Sequence, residues 1–402
     1  MAYKGFYRDM EIKNLKKVAQ RILKAIENKE KIILFSDSDL DGVTSLIILK
    51  ETIENLGGKV KLVYFSFRED GYGLNKKALR FLKSKAPALL ICLDLGIGNF
   101  EEVKLAKKYG FEVIIVDHHD ILGKLPPASI IVDPKQKGDR SLFNFLANVG
   151  IVFKLSKEIL PKSLFKELEK SFLELAALGT IADLMPQIGE NKEIIEKGIE
   201  SLKTSERIGI RVFFERKGTV PIWGLSPNSK TNSESASRII SLLNAGQQEK
   251  DNLTETYLIL SASEISKARK ILSILLRKNK KRKLKIKEII LEVEKRVSKQ
   301  KPQPIVFEGK NNWSLVHLGS AASKICQKYK KPIFLFKEKK NLILGSVRSP
   351  KGINNLEALK SCSKFLKTYG GHPQASGFYL KEENLERFKN CLIEYYNPND
   401  TN

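Results

Sequence analysis

The chain has 402 residues, 42% of them hydrophobic, and carries 71 Lys and Arg against 46 Asp and Glu, a formal net charge of +25. That length suits two or three domains with packed cores, and the positive excess points to a polyanionic partner such as nucleic acid. Four distant cysteines (Cys92, Cys326, Cys362, Cys391) with no C-x-x-C pair exclude a zinc knuckle and indicate no disulfide framework. Free thiols are therefore expected, in a reducing, cytoplasmic setting.

The opening MAYKGFYRDMEIKN lacks a continuous apolar run, and no segment approaches about 18 consecutive apolar residues, so neither a secretory signal nor a membrane span is expected. From about residue 31 to 117, short β-rich runs alternate with helical patterns, the signature of βαβ units on a mostly parallel sheet. Strands are expected at KIILF, KVKLVYF, ALLICLD and EVIIVD. The first, third and fourth end in acid, so Asp37, Asp39, Asp41, Asp94 and Asp117 emerge at carboxyl ends of strands, where open α/β sheets place ligands.

The first of these ends, FSDSDLDGVTS, has the D-x-D-x-D-G opening of a calcium loop. Counting from Asp37, the twelfth position is Ile48 rather than glutamate, and a strand instead of a helix precedes it. A helix cap near Val43 accounts for one aspartate, not three. Residues 143 to about 300 read mainly as helices. A stretch from about 263 to 300 reads as one long helix, whose core RKNKKRKLKIK (277–287) has eight Lys or Arg in eleven positions. Such a face is either solvated or tracks phosphates. From about 303, strands are expected at PIVFEG, WSLVHLG, PIFLFK and LILGSVR around a helical SAASKICQKY, with a final helix over 382–394. The fold class is α/β in three parts: a parallel-sheet domain (1–190), a helical connector (191–302) and a smaller α/β domain (303–402).

Only four histidines occur, and two are adjacent in VDHHD as His118 and His119, flanked by Asp117 and Asp120. A strand-terminal pair of this kind suits metal or phosphate work, with Asp117 orienting an imidazole. Asp183 in LGTIADLMP adds a carboxylate after a helix of small and apolar residues. Asp39, Asp41, Asp94, His118 and Asp183 together form an oxygen-rich set suited to Mn²⁺ or Mg²⁺. Two such ions sharing a carboxylate activate water and stabilise a phosphoryl displacement.

SDSDLDG, LDLG, VDHHD and LGTIADLMP, in this order, resemble the four motifs of the DHH phosphoesterases, and GGHPQASG (370–377) resembles the glycine-glycine-histidine motif of the accompanying DHHA1 domain. FREDGYGLN, FNFLANVGIVFKL and Phe35 bring the likeness nearest the RecJ-like exonucleases, which act 5′ to 3′ on single strands. The resemblance implies that Asp39 and Asp41 bind one metal each, Asp94 bridges, and His118 and Asp183 complete the second site. It leaves Asp37 a less defined catalytic role and has His119 touch the scissile phosphate or a metal, with Asp117 counted beside them among the catalytic candidates. It implies further that Arg68 receives the 5′ phosphate, while Ser323, Lys324, Arg348, Gly370, Gly371 and His372 grip the strand from the DHHA1 side across a cleft. Lys324 stands where the family has arginine, giving point-charge rather than bidentate contact. LLNAGQQEKD keeps Asn244 and Gly246 without the arginine expected beyond. The chain ends where bacterial relatives add an OB-fold, so an accessory single-strand-binding or replication protein is an expected partner.

The function implied is two-metal hydrolysis of single-stranded nucleic acid, DNA favoured over RNA, in repair, recombination or replication. The alternatives are a phosphodiesterase for short oligoribonucleotides or dinucleotides, which has no need of such charge, and a non-catalytic Cdc45-like scaffold, which the full ligand set opposes.

Overall fold

Alternation along the apolar runs sorts their side chains onto two faces, because successive residues of a strand point to opposite sides of a sheet. In the computed structural model, which describes residues 11–67, 73–141, 143–217, 220–221, 232–246, 253–339 and 341–397, Ile32 and Leu34 enter one core while Ile33 and Phe35 enter another. The chain divides into two units, Met1–Lys278 and Asn279–Asn402.

The first unit opens with α1 (Leu15–Glu27). It continues with β1 (Ile32–Asp37), α2 (Leu40–Asn55), β2 (Val60–Ser66), α3 (Lys76–Leu82), β3 (Ala88–Leu93), α4 (Phe100–Lys108), β4 (Phe111–Val116) and β5 (Ile130–Val132). All four strand pairings are parallel, in the order β2-β1-β3-β4-β5. The four expected strands are present; β5 is a fifth that the sequence reading did not anticipate, since three residues carry too little periodicity to register. In this order the chain first steps outward from β1 to β2 and then back across to β3. The crevice between the carboxyl ends of β1 and β3 is thus the topological switch point, the place where such sheets bind ligands.

The helices α5 (Asn148–Ile159), α6 (Lys162–Ala182), α7 (Gly189–Ser201), α8 (Ile208–Arg211), α9 (Asn232–Leu243) and α10 (Glu255–Leu260) follow, with a short antiparallel ladder of β6 (Arg216–Lys217) and β7 (Val220–Pro221). They belong to the same unit as the sheet up to Lys278. The expected long basic helix is α11 (Ile265–Val297), and the division between units falls inside it. Leu272 and Leu275 of α11 join the core of the first unit, while Ile286, Ile289 and Val293 join that of the second. Lys280, Lys281, Lys283, Lys285 and Lys287 are exposed.

The second unit contains β8 (Val306–Gly309), α12 (Leu315–Tyr329), β9 (Ile333–Lys339), β10 (Leu342–Arg348), α13 (Asn355–Ser361), β11 (Thr368–His372), β12 (Ala375–Lys381) and α14 (Leu385–Tyr396). Its sheet runs β11-β12-β10-β9-β8, parallel only between β8 and β9. WSLVHLG, expected as a strand, instead starts helix α12. Its buried residues Leu318, Ala321, Ala322, Ile325 and Cys326 follow helical spacing, which a seven-residue window does not resolve. The expectation of four free thiols is also corrected. Cys362 and Cys391, 29 residues apart, are joined as a disulfide with Cα atoms 6.0 Å apart, because α14 packs beside the end of α13; Cys92 and Cys326 are free and buried. Among the described residues no helix is long and apolar enough to cross a membrane.

One part-buried ion pair ties the helical layer to α2. Arg207 donates to both carboxylate oxygens of Glu51 at 2.8 and 2.7 Å, to Ser171 Oγ, and to the Leu260 carbonyl at 3.0 Å. Removing the guanidinium leaves Glu51 and a carbonyl without these donors. Arg207→Met is expected to lower unfolding free energy by about 2–4 kcal/mol, read from the urea midpoint.

Candidate metal centre

The aspartate run adopts its shape because Gly42 allows the first turn of α2 to fold back on β1. A Cβ there would fall 2.5 Å from the Asp37 carbonyl oxygen and 2.8 Å from Ser36 Oγ. Asp39 caps α2, its carboxylate accepting from Gly42 N–H at 3.1 Å. Asp41 lies in the first helical turn, buried, and accepts from the backbone N–H groups of Asn148 and Val149, both at 2.8 Å, at the start of α5. Asp94 follows β3 in a left-handed conformation, φ 59°, with its N–H donating to the Val116 carbonyl. Asp183 is the residue after α6. Gly179, one turn earlier, brings α6 against α2: a Cβ there would meet Thr44 Oγ1 at 2.5 Å and the Asp41 Cα at 3.3 Å.

These elements converge on His118. Its Nδ1 lies 3.1 Å from the Leu146 carbonyl, which accepts the ring proton. The ring then turns Nε2 toward Asp94 Oδ1 at 3.2 Å, Asp183 Oδ2 at 3.6 Å and Asp41 Oδ2 at 3.7 Å. Burial pushes the Asp41 carboxyl well above its ordinary range, reinforced by Asp183 and Asp39, and burial with Asp41, Asp39 and Asp37 does the same to Asp94. Carboxylates and an imidazole nitrogen gathered this closely in a largely buried site suit cations. The donors fall into two sets. Single oxygens of Asp37, Asp39 and Asp94 lie within 4.8 Å of one another, as do donor atoms of Asp41, His118 and Asp183, with Asp94 beside both. Oxygen-dominated sets with one imidazole fit Mn²⁺ or Mg²⁺. The geometry thus gathers all five expected ligands and draws Asp37 into the donor set.

Asp117, expected among the catalytic residues, lies beside the centre, one carboxylate oxygen within 4.8 Å of donor atoms of Asp94 and His119. Its Oδ2 accepts from Ile97 N–H at 3.0 Å, and its Oδ1 from His118 N–H and His119 Nδ1, both at 2.8 Å. It is a positioning residue, and the imidazole it orients is that of His119. Burial disfavours the charged His119 ring, but the Asp117 carboxylate outweighs it and lifts the pKa to about 9. Asp120 pairs with Lys135 at 3.0 Å.

Two contributions were missed from the sequence. The Leu146 carbonyl sets the His118 tautomer. With its amide turned so that the oxygen faces Asp94, Asn148 accepts from Asp94 N–H at 3.0 Å and donates to the Val116 carbonyl at 2.9 Å, wiring β3 to β4. A buried-side asparagine at the first position of an apolar helix, in FNFLANVGIVFKL, was the available signal.

In the second unit, Arg348 and His372 both lie opposite Ala375 of β12, one on each flanking strand, so they share a level and a face of the sheet. Arg348 donates to Ser346 Oγ and to the Val347 carbonyl. Gly319 leaves room for its guanidinium over α12, where a Cβ would fall 2.8 Å from Nη2. Gly371 has φ +119° and approaches the Ala375 carbonyl, a conformation and distance open only to glycine, while Gly370 has open space above it. Ser323 is half-buried and Lys324 exposed on α12. Arg282 of the basic run turns inward to donate to Ser320 Oγ at 2.7 Å. Arg68 lies outside the described residues.

A family model described as the DHH family, N-terminal domain, matches residues 31–180, and the DHHA1 domain matches residues 302–397. The single-stranded-DNA-specific exonuclease RecJ of Bacillus subtilis is 33% identical over 393 residues, covering 97% of this chain and 48% of that protein. RecJ of Thermus thermophilus is 28% identical, with 96% and 55% covered. The chain therefore spans about half the length of these relatives. A solved structure described as exonuclease RecJ bound to manganese superposes with a TM-score of 0.73 at 26% identity, covering 96% of this chain and 95% of that one. RecJ from Thermus thermophilus in complex with Mn²⁺ gives 0.78 at 24% identity, covering 98% and 56%, a likeness of fold.

Gly179→Ala forces α6 away from Asp41. It is expected to cost about 1–3 kcal/mol of stability. It should also shrink the rise in melting temperature on adding Mn²⁺, both effects read by thermal unfolding with and without the ion.

Proposed function

The chain belongs to the DHH family and carries the DHHA1 domain, and on that premise we propose that it is a divalent-metal-dependent exonuclease hydrolysing single-stranded DNA in the 5′ to 3′ direction. The observation that carries this reading is the His118 Nε2 set among Asp94, Asp183 and Asp41 carboxylates in a buried crevice, an arrangement that suits cations and little else. The likeness to RecJ proteins, one of them solved with manganese at 26% identity over nearly its whole length, supports the same metal chemistry and the same substrate class.

Asp37, Asp39 and Asp94 would hold one Mn²⁺ or Mg²⁺, and Asp41, His118, Asp183 and the shared Asp94 a second. Bound divalent ions supply the Lewis acidity for attack of water on phosphorus. The rest of the work falls to the chain. Its carboxylates fix the donor positions before substrate arrives, so little reorganisation is needed during reaction. His119, oriented by Asp117, offers its Nε2–H to a phosphate oxygen and stabilises the charge that builds there. Arg348 and His372, with the Gly370-Gly371 pair, Ser323 and Lys324, are the proposed strand grip of the DHHA1 domain. Arg68 is the proposed seat of a 5′-terminal phosphate, the basis of the direction. The exposed lysines of α11 supply salt-dependent, sequence-independent affinity. A single-strand-binding or replication protein is the proposed partner.

The test compares purified chain and Asp94→Ala on 5′-labelled single-stranded DNA, RNA of equal length and a dinucleotide, each with Mn²⁺ and with EDTA. Mn²⁺-dependent cleavage of the DNA, abolished by EDTA and lowered on the order of 100- to 1,000-fold by Asp94→Ala, is expected. No cleavage of any substrate overturns the enzyme reading, and preference for the dinucleotide overturns the exonuclease. Blocking each end in turn checks direction, with loss of activity expected only from the blocked 5′ end. His119→Gln is expected to lower kcat about 100-fold while leaving Mn²⁺ affinity, measured by calorimetry, within about twofold.

A further inference from the structure

Helix α6 ends in a left-handed cap that would ordinarily be glycine. Leu184 N–H donates to the Ile181 carbonyl at 3.2 Å and Met185 N–H to the Thr180 carbonyl at 3.3 Å, the paired bonds of a Schellman motif, with Leu184 at φ +60° in the position that favours glycine or asparagine. A branched residue is sterically disfavoured there. Burial does not compensate, since Leu184 is 63% exposed. Strained backbone of this kind collects at functional sites.

The place is informative. Leu184 follows Asp183, whose carboxylate lies 3.6 Å from His118 Nε2, so its Cα is about 3.8 Å from that of a donor in the metal centre. Two more large apolar side chains are exposed on neighbouring backbone. Phe145, 48% exposed, precedes Leu146, the residue that holds His118; Ile188, 56% exposed, follows four residues after Leu184. The buried Asn191 amide ties these segments together, donating to the Phe145 carbonyl at 2.7 Å and to the Pro186 carbonyl at 3.1 Å.

We propose that Leu184, with the exposed Phe145 and Ile188 on backbone tied to its segment through Asn191, is an apolar seat for the unpaired nucleobase adjoining the phosphate at the metal centre, an inference that rests on the single-strand hydrolysis proposed above. A phosphodiester at the carboxylate cluster carries its base a short way off, and a base freed from a duplex exposes a flat face that alkyl and aromatic groups cover without reading sequence. In a duplex that face is already stacked on its neighbour. The seat would therefore favour single strands over duplexes by the one feature they do not share, while tolerating any base. A leucine at a position that favours glycine, in spite of its backbone cost, suits such a contact.

The experiment uses the full chain with Mn²⁺ and two single-stranded DNA oligonucleotides, identical except that one has an abasic residue at an internal position, and follows the rate of removal of each nucleotide. Wild type is expected to slow about five- to tenfold on reaching the abasic residue. Leu184→Gly and Leu184→Asn, both suited to φ +60° and so with melting temperatures equal to or above wild type, are expected to process the two oligonucleotides at one common, slower rate. Phe145→Ala is expected to reduce the discrimination in part. Equal rates for wild type on both strands, or discrimination preserved in Leu184→Gly, overturns the seat while leaving the hydrolytic reading intact. Absence of cleavage of either strand by wild type overturns the hydrolytic reading and the seat with it.

Discussion

Five carboxylates and one imidazole share a crevice in which Asp37, Asp41, Asp94 and His118 are buried, and the local structure of the first unit is arranged around that electrostatic load. Burial and mutual repulsion act in the same direction on Asp41 and Asp94, raising the cost of keeping both ionised. The chain offsets part of the cost itself. Two backbone N–H groups at the start of α5 point at Asp41, and the Leu146 carbonyl accepts a hydrogen bond from His118 Nδ1, which leaves Nε2 facing the carboxylates. The remainder is the attraction for divalent cations that the proposed chemistry uses.

Holding the donors there demands close approach of backbones, which glycines at two points permit. Gly42 lets α2 begin against the end of β1, and Gly179 lets α6 pass over Asp41. The motifs SDSDLDG and LGTIADLMP thus combine a ligand with the space that makes its position reachable. Asp117 has a complementary part: beside the centre, its hydrogen bonds fix the backbone of the two histidines and the ring of the second.

The second unit reaches its own arrangement by different means. An antiparallel ladder sets Arg348 and His372 level with one another across Ala375, whereas the first unit depends on turns at the ends of parallel strands. In both, residues far apart in the chain are aligned by register, and in both the proposed contacts with substrate lie on backbone that is pinned by hydrogen bonds.

How much of this was legible depended on whether the signal was local. The strands of β1 to β4, the switch-point aspartates and the 33-residue basic helix follow from apolar periodicity and chain order, which the amino-acid sequence displays directly. The five metal-ligand candidates were found by motif order. Hidden were features that arise only when distant segments meet. The helical state of Leu315–Leu318 depends on which core it packs against, and the Cys362–Cys391 bond on α14 lying beside α13. The place of Asp37 in a donor set depends on Asp94 arriving 57 positions later in the numbering, the role of Asn148 on an amide that reaches β3 and β4 at once, and the exposure of Leu184 on what leaves its side chain uncovered. Sequence determined which residues are candidates for the proposed chemistry, because such candidates are recognised by residue type and spacing. Tertiary structure alone decided which atom faces which, because hydrogen-bond direction and like-charge proximity are properties of packed space rather than of the chain.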